Sequence, residues 1–153
     1  MSENKQYATF HLGGLFLGVE VRQVQEVIRY QTMTPVPLAP PMIQGLINLR
    51  GQIVTAIDLR RRLALPPRPD DQLPMNVVVR GDDGAVSLLV DGIGDVVEIQ
   101  DDAYERPPET LSGTARELVT GVYKLRDRLL LILDTERAIS LPASFGAAQH
   151  AAN

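Results

Sequence analysis

Gly45-Leu46-Ile47-Asn48-Leu49-Arg50-Gly51-Gln52-Ile53-Val54-Thr55-Ala56-Ile57-Asp58-Leu59-Arg60 is the stretch from which the fold is read. Residues 46–49 and 52–58 are short runs rich in Ile, Leu and Val, and Arg50-Gly51 between them supplies a two-residue turn. That pattern predicts a β-hairpin, closed by a short helical turn over residues 60–63.

The flanking segments follow the same grammar. Upstream, residues 7–12 and 15–20 alternate on either side of Gly13-Gly14, a second hairpin signal. Val21, Val24, Val27 and Ile28 then fall on one helical stripe and predict a short helix over residues 21–29. Two turns of helix are marginal in isolation, so that stripe has to dock on a sheet. Residues 34–41 are proline-rich and cannot form a central strand. Downstream, residues 66–74 hold four prolines, two aspartates and Arg68, and read as a connection between halves. Strands follow over 75–80, 85–90 and 95–99, then an irregular segment over 107–113. A last hairpin over 119–125 and 128–134 turns near Arg126-Asp127, and residues 142–153 read as a flexible tail.

An internal repeat joins the two halves. Residues 45–63 set against 121–139, 76 positions apart, match in five of 19 places: Gly45 with Gly121, Leu49 with Leu125, Arg50 with Arg126, Asp58 with Asp134, and Arg61 with Arg137. A weaker echo sets Val19-Glu20 against Val90-Asp91. Short strands at this spacing, without long helices for crossovers, favour two small antiparallel barrels over a βαβ sheet. The expectation is one domain over 7–141, with halves 7–66 and 75–141 joined by 66–74.

Composition narrows function by exclusion. The chain has 153 residues, no cysteine, two histidines and a net charge of −4. Thiolate zinc sites, iron–sulfur clusters and cysteine nucleophiles are therefore excluded. The acidic balance argues against a broad nucleic-acid-binding face, and 5% aromatic residues supply few stacking platforms. There is no phosphate loop and no nucleophile elbow. Gly92-Ile93-Gly94 opens like a dinucleotide fingerprint, but Val97 occupies the third glycine position. Polar Met1–Gln6 is unlike a secretory leader, and the short apolar run 129–133 cannot span a bilayer. A cytoplasmic protein without cofactor or metal is expected.

Two charged groups remain. Asp91, Asp95, Glu98, Asp101 and Asp102 read as a solvated acidic face, and Arg60, Arg61, Arg62 and Arg68 as a solvated helix end, with contact to an acidic partner as the next reading. A less ordinary feature is the hairpin tip, where Asn48 shares a strand face with Leu46 and Arg50. Arginine's planar fork suits a bidentate carboxylate, and Glu26 is the partner to name. Glu26 reads equally as a polar-face residue of the short helix, so both readings stand at this point.

These residues resemble the chemotaxis coupling protein family, the CheW-like adaptors. Residues 45–54 with Ile57-Asp58-Leu59-Arg60 carry the signature. Gly18-Val19 through Val24-Gln25-Glu26-Val27-Ile28, Val90-Asp91-Gly92-Ile93 with Asp95-Val96, and residues 130–134 support it. The resemblance implies two five-stranded SH3-like barrels on a shared hydrophobic core. It implies a non-enzymatic adaptor between chemoreceptor (methyl-accepting chemotaxis protein) cytoplasmic tips and the regulatory domain of a CheA-type histidine kinase. It implies no nucleic acid and no direct membrane insertion, and length suits a stand-alone coupling protein. By position it implies that Arg50 is needed for partner binding, that Glu26 pairs with it, and that binding is sensitive at Val24 and Gly45. Asn48 and Gly51 complete the implied partner-binding set. One departure is Thr55-Ala56, where many relatives carry proline. An enzyme using Asp91, Asp95 and Glu98 in a cleft, which requires turnover or divalent-metal binding, and a small-ligand-binding double barrel without a kinase partner, are the alternatives left open.

Overall fold

A computed structural model describes residues 4–100, 104–107 and 113–140. The tail expected over 142–153 and part of the irregular segment 107–113 lie outside the described residues. In chain order the elements are β1 (Asn4–Leu12), β2 (Leu15–Glu20), a 3-10 turn (Val21–Gln23), β3 (Val24–Ile28), β4 (Ile43–Leu49), β5 (Gln52–Asp58), α1 (Leu59–Arg62), β6 (Met75–Gly81) and β7 (Gly84–Val90). The rest are β8 (Gly92–Gln100), β9 (Tyr104–Glu105), α2 (Gly113–Leu118), β10 (Val119–Lys124), β11 (Leu129–Leu133) and α3 (Thr135–Ile139).

The strands form two sheets, β3-β6-β7-β5-β4 and β8-β1-β2-β11-β10-β9. They correspond position by position. Val24 pairs with Val79 and Val79's hairpin partner is Val86, while 69 residues away along the chain Ile93 pairs with Phe10 and Phe10 with Leu17. Val86 lies parallel to Thr55 and Leu17 lies parallel to Leu131, and Thr55 and Leu131 are 76 residues apart. Even the bulges correspond: β4 shifts register between Ile43 and Gly45, β10 between Val119 and Gly121. The sixth strand is a small addition, because β9 covers Val122 as a single bridge from Thr34 covers Leu46. The fold is thus the expected mainly β double SH3-like architecture, with one amendment: each unit includes a parallel pair.

The duplication is circularly permuted. One unit is the contiguous run β3–β7; the other is β8–β11 completed by β1 and β2 from the start of the chain. The halves 7–66 and 75–141 therefore do not coincide with the sheets, and residues 66–74 join α1 to β6 within one unit. The echo of Val19-Glu20 in Val90-Asp91 is two residues out of register, since Val19 corresponds to Leu88.

The helix expected over 21–29 is also corrected. Only Val21–Gln23 turns, as a 3-10 segment, and Val24–Ile28 is a strand on β6. Val24, Glu26 and Ile28 are half-buried, alternating with exposed Gln25 and Val27. Adjacent Val27 and Ile28 disguised that two-residue period, and three β-branched residues in five suit a pleated surface better than a helix.

Burial divides into three layers. Ile47, Leu49, Val54, Ala56, Val78 and Leu89 fill one unit, and Tyr7, Phe16, Ile99, Tyr123, Leu130 and Ile132 the other. Between them lies a shared layer to which both sheets contribute, including Phe10, Leu17 and Val19 from one and Ile57, Val77 and Leu88 from the other. Hairpin residues alternate between a unit's own interior and this shared layer, so neither sheet buries its apolar faces alone.

Candidate functional site

The site is built on the β4–β5 hairpin. Leu49 pairs with Gln52, leaving Arg50-Gly51 as a two-residue turn with φ of 52° and 88°. Two left-handed central residues suit the twist of flanking strands, and Asn or Gly is usually found at the first. Arginine there has a Cβ close to the following carbonyl, which costs about 1–2 kcal/mol. Asn48 holds the turn from below, its Oδ1 accepting the Gly51 N–H at 2.9 Å.

Across the seam of this unit lies β3. In the order β3-β6-β7-β5-β4, β3 and β4 are the two edges, and Arg50 reaches between them. Its Nη1 donates to Glu26 Oε2 at 2.9 Å and its Nη2 to Oε1 at 2.6 Å. The bidentate pair expected as one of two readings is formed, from a strand rather than a helix. The Glu26 side chain is shielded at 16% exposure while the Arg50 side chain is 74% exposed. Exposed pairs contribute roughly 0–1 kcal/mol, so stability does not explain a strained arginine at this tip. Its open face is available for contact.

The other expected residues lie differently. Val24 is half-buried against the shared layer, and its carbonyl accepts Arg80 Nη1 at 2.8 Å. Gly45 is buried beneath the segment preceding β4: a Cβ there would lie 2.7 Å from the Thr34 carbonyl oxygen. Both shape the surface from beneath, whereas Asn48, Arg50 and Gly51 are exposed. Two apolar residues that sequence reading missed join the exposed set. Ile53 stands opposite Asn48 at 65% exposure, and Val27 on β3 is 39% exposed. The signal for Ile53 was available, since it pairs with an outward-facing asparagine.

Asp91, Arg60 and Arg68 are not the solvated groups they resemble in sequence, whereas Asp95, Glu98 and Arg61 are exposed as expected and Asp101 and Asp102 lie outside the described residues. The Asp91 carboxylate accepts Gly13 N–H at 2.8 Å, Arg60 Nε at 2.9 Å and Nη2 at 2.5 Å, and Arg68 Nε at 2.8 Å. Burial pushes this carboxyl up, but hydrogen bonds from Arg60, Gly13 and Arg68 and the Arg68 charge outweigh it and hold it at about 2. Arg60 is correspondingly raised, chiefly by its hydrogen bond to Asp91. Arg62 donates to the carbonyls of Arg137 and Ala138, tying α1 to α3 of the other unit. Asp91 is thus engaged by Arg60 and Arg68, while Asp95 and Glu98 are exposed. Among the described residues no group of three His, Cys, Asp or Glu is placed to hold a metal. A cavity of about 340 Å³, lined by residues including Lys5, Tyr7, Glu20, Tyr123 and Glu136, opens beside the β1–β2–β11–β10 face. Its lining is mostly polar, with Tyr7, Tyr123, Ile132 and Leu133 as the apolar contributors.

With this geometry the chain can be set against known proteins. Residues 6–143 match the CheW-like domain family. The chain belongs to the CheW family. CheW relatives include a chemotaxis protein CheW of Klebsiella aerogenes, 32% identical over 136 residues, covering 89% of this chain and 82% of that one. Another, from Treponema pallidum, is 28% identical over 142 residues, covering 90% and 84%. Among solved CheW structures, the crystal structure of scaffolding protein TtCheW from Thermoanaerobacter tengcongensis superposes with a TM-score of 0.79 at 27% identity, covering 91% of this chain and 90% of that one. No helix among the described residues is long and apolar enough to cross a membrane.

Proposed function

We propose that this chain is a non-enzymatic, cytoplasmic adaptor that couples the cytoplasmic tips of chemoreceptors to a CheA-type histidine kinase. The observation that carries the reading is Arg50: a left-handed, exposed arginine on a hairpin tip, forked onto Glu26 across the barrel seam. Strain kept without a matching gain in stability suggests a side chain retained for contact. Its fixed orientation supports binding, because a pre-set guanidinium loses little freedom on docking.

In this reading the kinase's regulatory domain meets the β4–β5 tip, with Arg50, Asn48 and exposed Ile53 in contact and Glu26, Val24 and Gly45 holding the surface in place. The receptor's helical hairpin lies in an apolar groove between the barrels. Individually weak contacts then gain strength by multivalency in receptor-bound arrays, which recruit the protein to the membrane without insertion. The chemotaxis and scaffolding descriptions of the relatives support this assignment.

Gel filtration with light scattering, mixing the chain with the regulatory domain of a CheA-type kinase from the same organism, tests it. A 1:1 complex is expected, and receptor tips are expected to join it. Absence of any complex with either partner contradicts the adaptor reading.

A further inference from the structure

Residues 66–74 leave α1 and return to β6 of the same unit, and nearly all of this segment faces solvent. Pro66, Pro67 and residues 69–73 are exposed, and between Leu65 and Pro74 the one side chain turned inward is Arg68, 8% exposed. Its Nε donates to Asp91, which stands alone between the end of β7 and the start of β8, where the chain passes from one barrel to the other. The Asp91 backbone N–H donates to the His11 carbonyl at 3.0 Å and its carboxylate accepts from Gly13, so both barrels fix this acceptor in place. Arg60 adds a second tie, its Nη1 donating to the carbonyls of Pro66 and Pro67 at 3.0 and 3.3 Å.

We propose that the Arg68–Asp91 pair is a latch holding residues 66–74 as a strap over the inter-barrel crossover, and that the strap has a released state in which both barrels remain folded. Release leaves no carboxylate stranded, because Asp91 keeps Arg60 and Gly13 as donors and Asp58 keeps the Arg60 backbone N–H and the Arg61 guanidinium. Arg68 is not fully satisfied when docked. Its buried Nη2 has no hydrogen-bond partner and lies 3.7 Å from Asp58 Oδ1, so release restores hydration that docking withholds. Four prolines already restrict the strap, which lowers the freedom lost on docking, so that Arg60 at its start and Arg68 within it suffice. The latch closes only on a carboxylate that both barrels position, so the strap's order reports their correct seating.

Backbone order parameters from nitrogen relaxation on the intact chain test the latch without any partner. In the unsubstituted protein the amides of Arg68 and residues 70–73 are expected at about 0.85, as in the strands, and in Arg68→Ala below about 0.6, with β6, β7 and β8 unchanged. Three results overturn the latch. They are a strap that keeps its order in Arg68→Ala, a strap already disordered in the unsubstituted protein, and a loss of order that spreads into the strands or unfolds the chain.

Discussion

At Arg50 stability and function pull apart. Its φ of 52° places a branched cation where asparagine fits better, while its exposed pair with Glu26 returns little. Arg50→Asn is therefore expected to leave unfolding free energy within about 1 kcal/mol of the parent, or to raise it, while kinase binding falls. Urea titration alongside a binding assay checks this; a clear loss of stability would make the pair a structural clasp. Gly45 behaves in the opposite way. A methyl group there meets the Thr34 carbonyl oxygen at 2.7 Å, so Gly45→Ala should cost about 1–3 kcal/mol and shift the segment before β4, read by urea unfolding and by amide chemical shifts at residues 33–34. The Arg50–Glu26 pair was legible because a forked cation beside a turn and a nearby acid leave few partners. The buried placement of Gly45 was not, because nothing local to it announces that Thr34 crosses above.

Among elements, the hairpins were the most legible and β3 the least. Gly13-Gly14 and Arg50-Gly51 encode their turns locally, whereas a five-residue strand with neighbouring Val27 and Ile28 supports a helical stripe as readily as alternation. Pairing with β6 decides between them, and that information lies some fifty residues away. Arg60 and Arg68 were misread as solvated for the same reason, since their partner Asp91 is distant in sequence. That cluster predicts a pH dependence. Asp91 is held at about 2 against an ordinary 3.8, so its contribution is fully present above pH 4 and is lost as pH falls through 2. The loss amounts to about 2 kcal/mol. Urea titrations between pH 5 and 2 should show that decline, reduced in Asp91→Asn; an equal decline in both would place the acid sensitivity elsewhere.

The whole molecule is a permuted duplication in which the first two strands complete the second barrel. The repeat was visible at an offset of 76, where the hairpins share turn arginines and terminal aspartates. It was invisible between residues 7–20 and 76–89, which share no identity at the structural offset of 69. There only alternation is retained, because each side chain packs against different neighbours. Interleaving and the shared apolar layer predict one cooperative unfolding transition. Tyrosine fluorescence and far-ultraviolet circular dichroism should report coincident midpoints. Removal of residues 1–20 should abolish folding of the β8–β11 unit, and separated transitions would contradict a common core.

At this scale the adaptor account rests on the β4–β5 tip being a docking surface. Titration calorimetry of the kinase regulatory domain into the parent chain and into Arg50→Glu tests that most directly. The account predicts affinity lower by at least about tenfold, with thermal unfolding and elution unchanged, as expected when a charge at a packed interface is reversed. Equal affinity in the two proteins would contradict it and remove Arg50 from the binding surface.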